Sequence, residues 1–233
     1  MNNEAHSDDH RDLGERLPEY RYGVVLLLML AALVFVIVTP SAAWSRAGYL
    51  TIESAALLFA LSTGRAPVAV RRRRSLRGGL LAVVAVVAVA LSAVPSEVDF
   101  LVSGLVAAAI PVAIVGGVLR LANERGVTLQ AVAGALAIYL TVGLVFAWVI
   151  GFVARVGDTP YFTQGTNGTE SDHVYFSFTV LTTTGFGDFT AATSVGRALA
   201  VIEMLTGQIY LVTVIGILVG NLVSRRRSGA PPD

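Results

Sequence analysis

The chain has 233 residues, 55% hydrophobic and 14% charged, where a soluble domain carries about 25% charge. It has no cysteine, which excludes disulfides, thiolate metal sites and cysteine nucleophiles. The net charge of +1 is uninformative, but all 17 basic residues are arginine and their placement is not even.

Taken in order, residues 1–21 form a polar segment with six acids. Its HSDDH stretch (His6, Asp8, Asp9, His10) has metal-ligating types, but a flexible acidic tail is the simpler reading. Six apolar runs follow, at 22–39, 47–64, 79–94, 98–119, 128–153 and 196–223. At ~1.5 Å per residue each crosses roughly 30 Å of hydrocarbon, slightly tilted. The first is longer than a signal-peptide core and follows a long acidic segment, so it reads as an uncleaved span although SAA follows at 41–43. Pro111 is expected to kink the fourth.

The loops set orientation. Arg65, Arg71, Arg72, Arg73, Arg74 and Arg77 lie between spans two and three, and Arg225, Arg226 and Arg227 follow span six. With Arg11, Arg16, Arg21, Arg120 and Arg125, fourteen of 17 arginines share one side. Only Arg46, Arg155 and Arg197 fall opposite. The expectation is a multi-pass cell-membrane protein with both termini cytoplasmic. The run Arg71–Arg74 is read first as a topology determinant and second as an anionic-lipid site. Nucleic acid is not an expected partner.

The loop at 154–195 is then extracytoplasmic. Its middle, His173 to Leu181, is apolar but too short to span, and TTTGFGD follows at Thr182–Asp188. A short apolar helix, a glycine-rich turn and another span suggest a re-entrant loop. Non-helical backbone at that depth must line water or be buried in protein. Gly185 and Gly187 permit left-handed φ, which aiming successive carbonyls to one side requires.

TTTGFGD resembles the selectivity filter of potassium channels, usually TTVGYGD. The likeness extends over about 128–224, from the residues before the motif (Asp172 to Leu181, like a pore helix) to Gly207, which matches a gating-hinge glycine. It implies an all-α integral membrane protein of six transmembrane helices with a re-entrant pore helix (172–182), a filter (183–187), an inner helix (196–223) and a tetrameric pore. Residues 22–120 then form a four-helix domain and 225–233 a basic cytoplasmic tail. Four chains would cage a dehydrated K⁺, the permeant ion, with carbonyls of Thr183, Thr184, Gly185 and Phe186, Gly187 completing the filter. The Thr183 hydroxyl would close the inner site. Asp188 would be a cation-concentrating charge at the pore mouth, with Glu170 and Asp172 further out.

Two positions depart from the pattern. Thr184 stands for valine and Phe186 for tyrosine, so the hydroxyl that usually braces the filter is missing. Thr179, Thr182 and Thr184 are candidates to brace it otherwise. Glu203, ionisable within span six, is expected behind the filter near Thr179 or Thr182. Gln208, Leu211, Ile215 and Val219 are expected in the cavity and inner gate. Gly216 and Gly220 form a GxxxG pair, read equally as packing or as chance.

Span four has no basic residue, only Asp99 at its outer end and Arg120 at its inner boundary, so voltage dependence should be weak. Glu53 in span two is expected to pair with Arg46. The sequon at Asn167–Thr169 is expected to be idle, since arginine-only basicity and the Ala/Val bias suggest a GC-rich bacterium. No catalytic constellation, nucleotide loop or ligand-sensing domain is visible, so an enzyme is not expected and no cofactor is implied. The main reading is a homotetrameric potassium channel. The alternatives are a less selective cation channel and, from another class, a transporter or a membrane scaffold. A transporter would tend to show paired broken helices, whereas a single broken element is found, not two.

Overall fold

The computed structural model describes residues 22–62, 128–218 and 220, with positions 76, 78–79, 104–105, 108–116 and 118 between them. Arg71–Arg74, the His6–His10 stretch, most of the third span, Val219 and the 225–233 tail lie outside the described residues. The architecture is all-α. Helix α1 is Tyr22–Val38, α2 Ala43–Ser62, α3 Leu129–Val156, α4 Glu170–Leu181 and α5 Ser194–Ile209, continued by a π-helical segment Tyr210–Ile215. Among the described residues there is no strand, only an isolated bridge from Phe162 to Ala191.

Local chemistry sets the boundaries. The α1–α2 hairpin turns at Pro40–Ser41, and Ser45 Oγ accepts the Ala42 N–H at 3.1 Å. This starts α2 four residues before the apolar run suggested. Thr128, Thr169 and Thr193 each cap the helix they precede by accepting a backbone N–H. At Thr169 the cap is reciprocal, with Asp172 bonding back to the Thr169 N–H. That capping box starts α4 two residues before the expected 172 and makes Thr182 its C-cap.

Among the described residues two helices are long and apolar enough to cross a membrane, Leu129–Val156 and Ser194–Leu218. Helix α1 is apolar but has 17 residues. The Gly23 N–H donates to Gln130 at 3.0 Å near the start of both α1 and α3, and Ser171 Oγ donates to the Ile37 carbonyl at 3.3 Å at their other end. Helices α1 and α3 therefore run parallel. The Tyr210 hydroxyl donates to the Ala135 carbonyl at 2.7 Å, and Leu218 is buried with Ala135, so the inner stretch runs back antiparallel to α3. Tyr22, Gln130 and Leu218 thus share one end.

The main core joins α1, α2 and α3 through Tyr22, Val25, Met29, Ala56, Ile138, Leu144 and Trp148. Ile110, Ile114 and Val118 of the fourth apolar run belong to it, at the four-residue spacing of one helix face. Glu53, fully buried in α2, takes its hydrogen bond from Tyr49, one turn away on the same helix. This corrects the expected pairing with Arg46. Trp148 Nε1 donates to the Tyr49 oxygen at 3.3 Å, which leaves the phenol proton free for Glu53.

A second core caps the other end. Tyr161, Phe162, Phe176 and Phe189 pack edge to face, with ring centroids 4.8–6.2 Å apart. Backbone bonds from Thr163 N–H to Thr190 O (2.9 Å) and Ala192 N–H to Tyr161 O (2.8 Å) tie the segment before α4 to the one after TTTGFGD. The heptad is thereby held at both ends by the same packed knot.

Candidate functional site

The heptad begins where α4 ends. Its backbone alternates in hand: Thr183 has φ +57°, Gly185 +51° and Gly187 +82°. The glycines adopt this at little cost, whereas at Thr183 it is unfavourable for an L residue. The first half is held by the end of α4. The Thr183 N–H donates to Val180 O at 2.9 Å, and those of Thr184 and Gly185 both donate to Thr179 O, at 2.8 and 3.1 Å. N–H groups committed to the helix on one side leave carbonyls available on the other.

The candidate braces fall differently from expectation. The Thr179 hydroxyl bonds its own helix at Phe176 O, so Thr179 holds the heptad through its carbonyl. The Thr182 and Thr184 hydroxyls meet at 2.8 Å, and Thr182 also donates to Phe178 O. A brace that the sequence reading missed is Tyr175. Its hydroxyl donates to Asp188 Oδ2 at 2.7 Å, and its ring lies parallel to Phe186 at 6.3 Å. The hydrogen bond to the Asp188 carboxylate, helped by partial burial and the charge itself, raises the Tyr175 phenol above its usual range. The signal was a lone tyrosine thirteen residues before an aspartate, too generic to single out.

Asp188 is engaged on every side. Besides Tyr175, its Oδ1 accepts the Phe189 N–H at 3.0 Å, and its carbonyl accepts from Gln164. Glu170 and Asp172, expected as outlying mouth charges, serve the start of α4 instead. Asp172 completes the capping box and Glu170 pairs with Arg155 at 3.6 Å. Burial would raise the Glu170 carboxyl, but bonds from Ser41 and its own backbone, with Arg155 and Arg46, bring it below its usual value. His173, the residue after Asp172, donates its Nε2–H to the Asn167 carbonyl at 2.7 Å and is held below its usual range, chiefly by burial.

At the other end of the heptad, Gln208 Nε2 donates to Thr183 Oγ1 at 3.2 Å, so the structure brings those two expected site residues together. Glu203 is fully buried behind the heptad. Its partner is Ser177 at 2.5 Å, neither Thr179 nor Thr182. Gly207 lies where α5 crosses the end of α4, and a Cβ there would collide with the Leu181 carbonyl oxygen. Close approach accounts for this glycine without invoking a bend.

Leu211 and Ile215 fall in the π segment. Ile215 packs towards Ala135 of α3 and is partly buried, while Val212 and Ile217 are 71% and 63% exposed. α-Helical spacing from Gln208 therefore does not carry unchanged through Ile215. Bonding from i to i+5 puts extra chain in each turn, so every later residue lags in angle. Among the described residues, Gly216 and Gly220 show no tight neighbour that a Cβ would strike.

The whole heptad is exposed in the single chain. Chemically it offers carbonyls, a hydroxyl at its inner end and a braced carboxylate at its outer end, all oxygen donors suited to a hard cation. Residues 134–224 match a protein-family model described as "Ion channel". No curated protein and no solved structure matches the chain.

Proposed function

From the premise that residues 134–224 are an ion-channel domain of a membrane protein, we propose that the chain is a potassium-selective channel that assembles as a homotetramer. In this reading α3 is the outer helix, α4 the pore helix, TTTGFGD the filter and Ser194–Leu218 the inner helix. The observation that carries it is the alternation of left-handed φ at Thr183, Gly185 and Gly187 inside that heptad. Such alternation turns successive carbonyls of Thr183, Thr184, Gly185 and Phe186 to the same side, where four chains replace the water of a K⁺ ion. Gln208 at the Thr183 hydroxyl supports an inner site opening on a cavity.

Exposure of the heptad and of most of the inner helix supports the tetramer, since one chain leaves its polar carbonyls and apolar side chains without neighbours. The shared end of Tyr22, Gln130 and Leu218 is consistent with six spans and both termini in the cytoplasm. The apolar inward stripe Ile110, Ile114 and Val118 supports weak voltage dependence, because a gating charge needs a basic residue in that span. Anionic lipid at Arg71–Arg74 remains part of the proposal.

Flux from liposomes holding the purified protein under a K⁺/Na⁺ gradient tests it. The expected reversal potential lies near that for K⁺. Equal permeability to both ions would replace it by a non-selective cation channel, and absence of flux by a scaffold.

A further inference from the structure

Three helices meet at one hydroxyl. Ser177 on α4 places its Oγ 2.7 Å from the Gly143 carbonyl oxygen of α3 and 2.5 Å from Glu203 Oε1 of α5. Ser177 and Glu203 are both fully buried. A serine hydroxyl has one hydrogen, and a backbone carbonyl can only accept. A carboxylate also only accepts. With Glu203 ionised, two acceptors would press on one proton, and one of these short contacts would hold no hydrogen. The count balances when the carboxyl brings its own: Oε1–H to Ser177 Oγ, and Ser177 O–H to Gly143 O.

The surroundings agree. Glu203 Oε2 has no hydrogen-bond partner among the described residues. An anion there would be unmet at membrane depth, at large cost. Among the described residues the titratable groups that interact with it are the phenols of Tyr139 on α3 and Tyr161 in the loop before α4, and neither is a cation.

We propose that Glu203 is a neutral carboxylic acid, the first donor of a relay Glu203–Ser177–Gly143 that ties the inner helix through the pore helix to the outer helix. It is a positioning residue. Ser177 precedes by two residues the Thr179 carbonyl that holds the N–H groups of Thr184 and Gly185, so the relay fixes the part of α4 from which the heptad hangs. Removing the proton removes the donor, and conduction falls on alkalinisation. The functional half of this inference rests on the channel reading, while the proton assignment does not.

Infrared difference spectra between wild type and Glu203→Gln, in membranes at neutral pH, read the proton directly. The expected result is a carboxylic C=O stretch, shifted by D₂O, present in wild type and missing in the variant. A difference confined to carboxylate bands overturns the proposal. In flux, Glu203→Gln keeps a donor amide and conducts with a flat pH profile, while wild type declines at alkaline pH. Glu203→Leu loses flux on the order of tenfold, the value of a buried hydrogen bond left unmade. A Gln variant as impaired as Leu, or with the wild-type alkaline decline, overturns the relay. Should Glu203→Gln not assemble, Ser177→Ala serves: the acid stays and its C=O band moves to higher frequency as the acceptor is lost. An unmoved band overturns the proposal. A carboxylic band in a protein without flux supports the proton and removes the channel reading instead.

Discussion

The two long apolar helices of the ion-channel domain are alike in composition and unlike in surroundings. Of the most apolar stretch of Leu129–Val156, 56% of positions are buried within the chain, against 17% for Ser194–Leu218. The outer helix spends its faces on α1, α2 and α4. The inner one buries a single stripe that includes Gly196, Glu203 and Gly207, and presents Val201, Ile202, Leu205, Ile209 and Val212 outward. The difference teaches that one helix is completed by its own chain. The other, like the heptad it stands behind, is completed in our reading by copies.

The largest break in that comparison is expected at the heptad. Gly185→Ala forces an L residue to φ +51°, where the penalty is about 1–2 kcal/mol per chain and is met four times in a tetramer. Flux should fall by more than about a hundredfold at unchanged expression. Retained K⁺ selectivity and flux would remove the filter from the reading.

Next comes the buried stripe. Gly207→Ala meets a backbone oxygen that cannot swing aside, so it should cost about 1–3 kcal/mol and lower the melting temperature. Gly216→Ala, with no neighbour closer than 3.8 Å among the described residues, should stay within about 0.5 kcal/mol. If both melt alike, the close crossing is not what this glycine serves.

The outward faces give a direct contrast. Ile209→Asp or Val212→Asp should convert tetramers to monomers on size exclusion in mild detergent. Val149→Asp, on the exposed side of the outer helix, should leave the oligomer intact. Equal dissociation by all three would erase the distinction between the two helices.

A smaller effect is expected at the brace. Tyr175→Phe removes one hydrogen bond to Asp188 and should change filter closure rates a few-fold in single-channel records. Phe186→Tyr adds a hydroxyl beside a ring that is already stacked, and should slow closure less. Unchanged open-time statistics in both would count against a brace through Tyr175.

The smallest concerns pH at the capped end. Burial depresses His173, which faces the Asn167 carbonyl, Arg155, Glu170 and Asp172. The unfolded chain therefore takes the proton first. Stability is full above the ordinary histidine value of about 6.5 and declines as pH falls through the window below it. His173→Asn should flatten the melting temperature between neutral and mildly acid pH.

Much of this was readable along the chain. Apolar runs show themselves without tertiary help, because hydrocarbon and a packed core both select the same side chains over some twenty residues. The non-spanning length of His173–Leu181 followed from composition, whereas the expected start at 172 came from the resemblance and fell two residues late. Gly185 and Gly187 announced positive φ, since only glycine adopts it freely. Thr183 did not, because what holds it at φ +57° is the Thr179 and Val180 carbonyls, contacts set by the end of α4 rather than by residue type. The π segment was illegible for a related reason: spacing rules assume one helical pitch, and nothing in YLVTVI signals i to i+5 bonding.

The charged residues divide in the same way. Sequence alone determined that Glu53 and Glu203 lie in apolar runs, that Asp188 ends the heptad, and that arginines cluster at 65–77 and 225–227. Only the tertiary structure decided whom each acid meets: Glu53 the tyrosine one turn back, Glu170 the arginine ending α3, Asp172 its own capping threonine, Asp188 the Tyr175 hydroxyl. The physical reason is range. Burial is a property of a segment's transfer from water and is written in its composition, whereas a hydrogen bond forms or fails within a few tenths of an ångström. That distance is set by how Ser177, Gly143 and Glu203 are brought together from three helices.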